Sequence, residues 1–479
     1  MTAKKESSKE KKNAICEKLC FEAKKASELA DAHSIKAAEG FSRDYMKALN
    51  AGKTEREFHH FAVEMLKKAG FVELSSQNKL KAGDKVYRSI HGKGLFAAVV
   101  GHGPLTDGLA IVGAHIDSPR LDLKPNPLYE DSEMALLKTH YYGGIKKYQW
   151  VAIPLALHGV VMLKNGEKLE LSIGEDEKDP VFVITDLLPH LGKDQMAKKA
   201  SEVIEGEKLN VLIGGYPHPD KDIEKRFKLG VLQLLNEQYG ITERNLLSAE
   251  LEIVPASKAR DVGLDRAFIG AYGQDDRVCA YTALKALVDA KVQNKTQAVI
   301  LSDKEEVGSN GNTGAHSQLY FFAMNELQVR VSGKEYSRLD EQRCIENSCM
   351  LSTDVTAAFD PNYPEVMEPL NAAYCGRGIG VCKYTGSRGK GGTTDANAEY
   401  LNSVTRLFDE KKLPWQIGEL GKVDQGGGGT IAYIFANAGM QVLDCGVPVL
   451  SMHSCFEVTS KLDVYNTYRA YVAFLENIN

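Results

Sequence analysis

The chain has 479 residues, 43% hydrophobic and 26% charged, with 59 Lys and Arg against 64 Asp and Glu for a formal net charge of -5. That length exceeds what one hydrophobic core usually serves and predicts at least two domains. With charge nearly balanced and no basic stripe to meet phosphates, nucleic acid is excluded as a partner.

The opening residues, Met1-Thr2-Ala3-Lys4-Lys5-Glu6-Ser7-Ser8-Lys9-Glu10, carry charge where a secretory signal needs an apolar core, which predicts a cytoplasmic protein. The nine cysteines are scattered and odd in number. Only Cys16 and Cys20 are closely spaced, and with no second Cys or His pair nearby they read as adjacent turns of one helix with reduced thiols. Residues from about 12 to 71 read as helices. In the second of these, Thr54-Glu55-Arg56-Glu57 fits a capping box, Phe58, Phe61, Ala62, Met65 and Leu66 follow at helical spacing, and Gly70 provides a stop. His59 and His60 fall off that apolar stripe and are expected to be solvated.

Next comes the apolar run Leu109-Ala110-Ile111-Val112, followed by Gly113-Ala114-His115-Ile116-Asp117-Ser118-Pro119. A short apolar run bounded by small residues predicts a buried strand, and ligands of open α/β sheets gather at the carboxyl ends of such strands. Imidazole is a good zinc ligand, and a carboxylate two residues on can fix its tautomer.

The pattern then changes to strands joined by turns. Val160–Leu163 and Lys168–Ile173 flank Asn165-Gly166, a hairpin signal suited to a tight primed turn. A helical stretch from Ile223 to Tyr239 is closed by Gly240, and Leu247–Val254 alternates as a half-buried strand does. The longest apolar stretch, Trp150 to Leu163, is interrupted by Pro154 and His158 and is too short to span a bilayer, so no membrane partner is expected. These features place a β-rich domain at 123–255, inserted into an α/β domain formed by 1–122 and 256–479.

Past residue 260 the α/β pattern returns. Gly273-Gln274-Asp275-Asp276-Arg277 opens a helical stretch containing Val278, Tyr281, Leu284 and Leu287, and the run Ala298–Leu301 precedes Asp303-Lys304-Glu305-Glu306. Asp354 and His453 each end another short apolar run. Five such groups at strand ends or helix starts suit a pair of divalent cations, zinc first with cobalt or manganese as alternatives, and the absence of cysteine argues against a closed structural zinc site. Gly426-Gly427-Gly428-Gly429 lacks the Lys-Ser or Lys-Thr of a P-loop and reads instead as close backbone approach near the site.

These residues resemble the aspartyl aminopeptidase and aminopeptidase I family of dinuclear metallopeptidases. The likeness begins at Gly70-Phe71, runs through Val112 to Pro125, includes Tyr142-Gly143-Gly144 and ends near Met452-His453-Ser454. The ordered set His, Asp, Glu-Glu, Asp, His is shared with related cocatalytic aminopeptidases; the Ser-Pro-x-Leu-x-Leu-Lys-Pro run after His-x-Asp is what points to this family. The resemblance implies a mixed-sheet zinc-peptidase catalytic domain with an inserted β-rich dimerisation or lid domain. It implies that Asp275 bridges two metals, that His115 and Asp354 complete one site and Glu306 and His453 the other, that Asp117 orients His115, and that Glu305 is the general base. It further implies a tetrahedral homododecamer acting on peptides, in which His190 of the inserted domain reaches a neighbouring subunit's active site. Two positions depart from the family: Lys304 stands where His is common, and Asp275-Asp276 where Asp-Asn is common. The residues that differ, Lys304 and Asp276, are not ligands in this reading.

The expected activity is removal of single residues from peptide N-termini. A dinuclear carboxypeptidase or amide deacylase is the rival among hydrolases, and a non-catalytic shell or cargo-binding oligomer the rival from another class, which a broken ligand set would mark. Family members divide between acidic and neutral or hydrophobic N-terminal residues, a choice expected to involve the loop from Lys383 to Lys390.

Overall fold

Three adjacent strands, Thr296–Ser302, Leu109–His115 and Cys349–Ser352, are buried along their whole length in the computed structural model, which describes residues 15–16, 18–21, 23–333 and 337–478. Side chains alternate between the faces of a strand, so a continuous apolar run needs cover on both sides. Ala110, Val112 and Leu301 belong to one core cluster, while Leu109, Ile111 and Ile300 belong to a second. Helices Ala32–Ala51, Glu55–Lys68, Gln274–Asp289 and Lys461–Asn477 contribute Tyr45, Phe58, Val278 and Phe474 to the first cluster. Helices Leu319–Ser332 and Ala432–Ala438 contribute Leu327 and Phe435 to the second. The sheet between them has nine strands and is mixed: Leu109–His115 runs parallel to both its neighbours, whereas Gly94–Val99 pairs antiparallel with Thr296–Ser302.

The helix Glu55–Lys68 begins as its sequence predicts. Thr54 Oγ1 accepts from the Glu57 backbone N–H, the Glu57 carboxylate accepts from the Thr54 N–H, and Gly70 sits beyond the helix with φ +87°. Such a cap contributes about 1 kcal/mol. His59 corrects the expectation of a solvated pair: it is 8% exposed, its Nε2 lies 2.9 Å from Ser89 Oγ, and burial pushes its pKa down to about 4. The strand Lys85–Ile90 covers that flank of the helix, which the helical pattern alone does not reveal; His60 is exposed as expected. Near the start, the Cys20 N–H donates to the Cys16 carbonyl at 2.8 Å, the spacing of one helical turn. The charged segment Met1–Glu10 lies outside the described residues, as do residues 11–14 of the expected helical stretch.

A second sheet has six antiparallel strands, all drawn from residues 120 to 255, with the helix Arg226–Tyr239 packed against it and capped by Gly240 in the left-handed conformation. Leu155–Met162 pairs with Lys168–Ile173 as the hairpin signal predicts, but the turn differs. The Gly166 N–H donates to the Leu163 carbonyl and the Leu163 N–H to the Glu167 carbonyl, with only Gly166 at positive φ. This is a common turn followed by a left-handed glycine rather than a primed turn, because Asn165 keeps negative φ. The strand expected from Leu247 begins at Glu250, since the short helix Glu243–Leu246 and its exit occupy the residues before it.

A third sheet orders Arg260–Val262, Phe268–Ala271, Glu457–Ser460, Pro448–Leu450 and Thr356–Ala357. Phe268–Ala271 leads into the turn carrying Asp275, and Pro448–Leu450 and Glu457–Ser460 flank the loop carrying His453. Among the described residues no helix is long and apolar enough to cross a membrane.

Candidate metal centre

Strand register brings the candidate residues together. In the parallel ladder Ser302 lies opposite His115 and Ser352 opposite Gly113, so the carboxyl ends of the three central strands finish at one edge. From that edge come His115 and Asp117, then the one-turn helix Glu305–Val307, then Asp354. Asp275 arrives from the start of the helix Gln274–Asp289, just after Gly273. A side chain at Gly273 would strike the Arg277 guanidinium, and its φ of +70° favours glycine, so the turn depends on that residue. The Asp275–Asp276 peptide is cis.

His115 Nε2 lies 3.2 Å from Asp275 Oδ1, 3.7 Å from Asp354 Oδ1 and 4.0 Å from Glu305 Oε2. His453 Nε2 lies 3.1 Å from Asp275 Oδ2 and 3.4 Å from Glu306 Oε1. The two oxygens of Asp275 thus face two different imidazoles. Potential ligand atoms fall within 4.8 Å of one another in three groups: His115 with Asp276 and Asp354, His115 with Glu305 and Glu306, and Asp275 with Glu306 and His453. Asp276, given no ligand role on sequence grounds, is therefore within reach of the first group.

Asp117 is fully buried. Its Oδ1 accepts from the Glu305 N–H at 3.1 Å, and its Oδ2 from the Glu306 N–H at 3.2 Å and the Tyr142 hydroxyl at 2.8 Å. His115 Nδ1 lies 3.1 Å from the Asp117 carbonyl oxygen and 3.2 Å from Oδ1, so both acceptors hold the ring with Nε2 toward the cluster. His190 stands apart, exposed in the turn Pro189–Leu191 and absent from the lining of its own chain's cleft.

The electrostatics show what the set lacks. Burial, then the Asp354 carboxylate, pushes Glu305 up to about 8; burial, then Asp275, pushes Glu306 well above the usual carboxylate range. Asp354 is raised by burial as well. Asp275 is held low against its burial by the hydrogen bonds of both imidazoles, and His453 is raised to about 10 despite burial, chiefly by Asp275. Among the described residues no Lys or Arg pairs with Asp275, Glu305, Glu306 or Asp354. The buried Glu306 Oε1 and Asp276 Oδ1 have no hydrogen-bond partner. A buried set of carboxylates with only two imidazoles for company fits divalent cations, and the oxygen and nitrogen donors suit zinc.

Sequence reasoning missed Glu457. Its carboxylate, 1% exposed, accepts from the His453 N–H at 2.7 Å and the Asp275 N–H at 3.1 Å, tying two candidate ligands to one side chain. Glu457 opens the short strand Glu457–Ser460, whose residues other than Val458 are polar, so no local pattern marks it. Beside the centre lies a cleft of about 280 Å³, walled by Thr356, Cys382, Tyr384, Glu419 and the Gly426–Gly429 run. Gly427 pairs with Ser387, and a Cβ there would strike the Gly386 carbonyl, so close backbone approach beside the site holds for this glycine.

The family model of the aminopeptidase I zinc metalloproteases, M18, matches residues 48–475. The probable M18 family aminopeptidase 1 of Clostridium acetobutylicum is 53% identical over 429 residues, 89% of this chain and 92% of the relative; that of Thermotoga maritima is 46% identical over 443 residues, 92% and 96%. The crystal structure of the Thermotoga maritima M18 aminopeptidase superposes with a TM-score of 0.92 at 45% identity, covering 96% of this chain and all of that one. The aminopeptidase I structure from Clostridium acetobutylicum gives 0.90 at 48% identity, with 96% and 100% covered. The mApe1 dodecamer of S. cerevisiae shares the fold at 21% identity, with a TM-score of 0.73 over 90% of this chain and 95% of that one. The chain, with its buried acidic cluster at the carboxyl edge of the central sheet, belongs to the M18 family of zinc aminopeptidases.

Proposed function

We propose that this chain is a cytoplasmic, dinuclear metallo-aminopeptidase in which His115, Asp275 and Asp354 hold one divalent ion and Asp275, Glu306 and His453 the other. The observation that carries the reading is the placement of each Asp275 oxygen against a different imidazole. A pair of ions so held supplies Lewis acidity, acidifying water and polarising a carbonyl oxygen.

The chain's own groups do the rest. Glu305 is not needed as a ligand in this assignment and is the general base: its carboxylate opens to the cleft, takes the proton of the attacking water and delivers it to the departing amine. Asp117 fixes the tautomer of His115 and, through its two backbone acceptances, the direction in which Glu305 and Glu306 leave their turn. The cleft beside Asp354, with Tyr384, Arg388 and Lys390 from the loop after Lys383, receives the N-terminal side chain.

In this reading the β-rich segment, residues 123–255, assembles the chain into a homo-oligomer, with the tetrahedral dodecamer as its expected form, and brings His190 to a neighbour's cleft. Exposed apolar side chains in that segment support an interface there: Leu187, Leu188, Leu191 and Met196 flank His190 and are 45%, 48%, 69% and 79% exposed. The cytoplasmic location is read from the sequence alone, from its charged opening residues and its scattered, odd-numbered cysteines.

Aminoacyl chromogenic substrates with free and with acetylated amines, assayed with zinc, cobalt or manganese, test the activity. Cleavage confined to the free amines is expected. Preference for blocked amines or for free C-termini would replace the reading with an amide deacylase or a carboxypeptidase.

A further inference from the structure

Tyr142 ends the strand Met134–Tyr142 of the six-stranded sheet, and Gly143 and Gly144 follow it, yet all three approach the centre. The strand pairs antiparallel with Arg120–Asp131, and in that register Tyr142 lies directly opposite Arg120. Arg120 follows Asp117 by three residues. The chain therefore leaves the centre on one strand and returns to it on the next.

Each residue of the tripeptide makes a different contact. The Tyr142 hydroxyl donates to Asp117 Oδ2 at 2.8 Å, while the Arg120 guanidinium lies over the Tyr142 ring, 4.0 Å from its centroid, and holds the ring against the strand pair. Gly143, at φ +73°, passes so near Glu306 that a Cβ would come within 3.3 Å of both its Cβ and its Oε2. The Gly144 carbonyl lies 3.0 Å from His453 Nδ1. A carbonyl can only accept, so in the neutral ring it selects the Nδ1–H tautomer, whose Nε2 lone pair faces Asp275 and Glu306.

We infer that Tyr142-Gly143-Gly144 is a positioning segment for both metal sites: Tyr142 steadies Asp117 and through it His115, Gly143 leaves room for Glu306, and the Gly144 carbonyl fixes the tautomer of His453. The inserted segment thereby completes the centre within its own chain, separately from any part it takes in assembly. The inference rests on the reading of His115, Glu306 and His453 as ligands. Its logic is that of metal-bound histidines in general, whose second ring nitrogen is held by a carboxylate or a carbonyl, and loss of such a partner typically lowers metal affinity or activity about 10- to 100-fold.

The test compares Tyr142→Phe, Gly143→Ala and His453→Ala with the unaltered chain, with Tyr141→Phe, an exposed neighbour on the same strand, as the control. Zinc affinity is measured by competition with a chromogenic chelator, kcat and KM are taken at saturating metal, and circular dichroism reports folding. Tyr142→Phe is expected to stay folded, to bind zinc about 10- to 100-fold more weakly and to lose kcat with little change in KM. Gly143→Ala is expected to weaken zinc binding at least as much, and Tyr141→Phe to match the unaltered chain. A folded Tyr142→Phe protein with unaltered zinc affinity and kcat overturns the inference, whatever Gly143→Ala does, while loss of zinc by His453→Ala would leave the ligand reading standing. If His453→Ala keeps full zinc affinity, the ligand reading falls and takes this inference with it.

Discussion

Two buried clusters of acidic residues lie close together in this molecule, and they solve the same electrostatic problem differently. At the seam between the helix Glu55–Lys68 and the six-stranded sheet, Glu55, Asp122 and Glu252 surround Arg120 at 3.2, 2.8 and 3.3 Å. Nearby, Lys53 meets Glu175 at 2.6 Å, and His158 sits between Glu57 and Glu175 at 2.7 and 3.1 Å. At the candidate metal centre, Asp275, Glu305, Glu306 and Asp354 converge with two imidazoles and, among the described residues, no Lys or Arg. Glu55 is held below the usual carboxylate range against its burial, by Arg120 and then Lys93; Glu305, Glu306 and Asp354 are pushed above it. Glu252 is the exception at the seam: its burial outweighs its share of the single Arg120. An anion removed from water requires a cation in its place. Where the chain provides its own, the cluster joins two parts of the fold; where it does not, the cluster is built to take cations from outside.

The largest expected effect separates the two glutamates of the centre. Glu305→Gln keeps the side chain's size but cannot take a proton, so turnover should fall by roughly two to four orders of magnitude with metal content nearly unchanged. Glu306→Gln should instead weaken one metal site, and excess metal should restore part of its activity. A Glu305→Gln protein that loses metal, or that turns over at near the normal rate, shows the base to be elsewhere.

At the seam the reverse pattern is expected. Lys53 is 2% exposed, and Lys53→Met removes a buried cation while leaving Glu175 in place, which should cost about 3 to 5 kcal/mol of stability. Urea unfolding, with and without bound metal, should show the same loss in both states, and turnover per folded molecule should hold. A Lys53→Met protein destabilised only when metal is absent would mean that the two clusters are not independent.

Local signals made parts of this architecture readable from the sequence. The apolar runs ending at His115 and preceding Glu305 appear as buried parallel strands, and the Thr54 capping box opens its helix, because continuous burial and helix caps are written in a few neighbouring residues. Partnerships made across the sheets were not readable. Glu457 looks like any strand glutamate until the third sheet places it under Asp275 and His453, and Tyr142 becomes a neighbour of Asp117 only through the register of two strands of the second sheet. His59 was misplaced for the same reason, since helical periodicity describes one face while the strand Lys85–Ile90 covers another. The turn at Asn165-Gly166 failed differently: that dipeptide serves a primed turn and a turn ending in a left-handed glycine equally well.

Counting metal decides whether the uncompensated acidic cluster is a two-metal centre bridged by Asp275. The unaltered chain and Asp275→Ala are stripped with chelator, titrated with zinc, and their bound ions counted by native mass spectrometry alongside turnover. Two ions per chain are expected, with activity returning as they bind, and Asp275→Ala should lose both ions and activity. Full turnover in the metal-free chain, or two ions still held tightly by Asp275→Ala, would contradict that assignment.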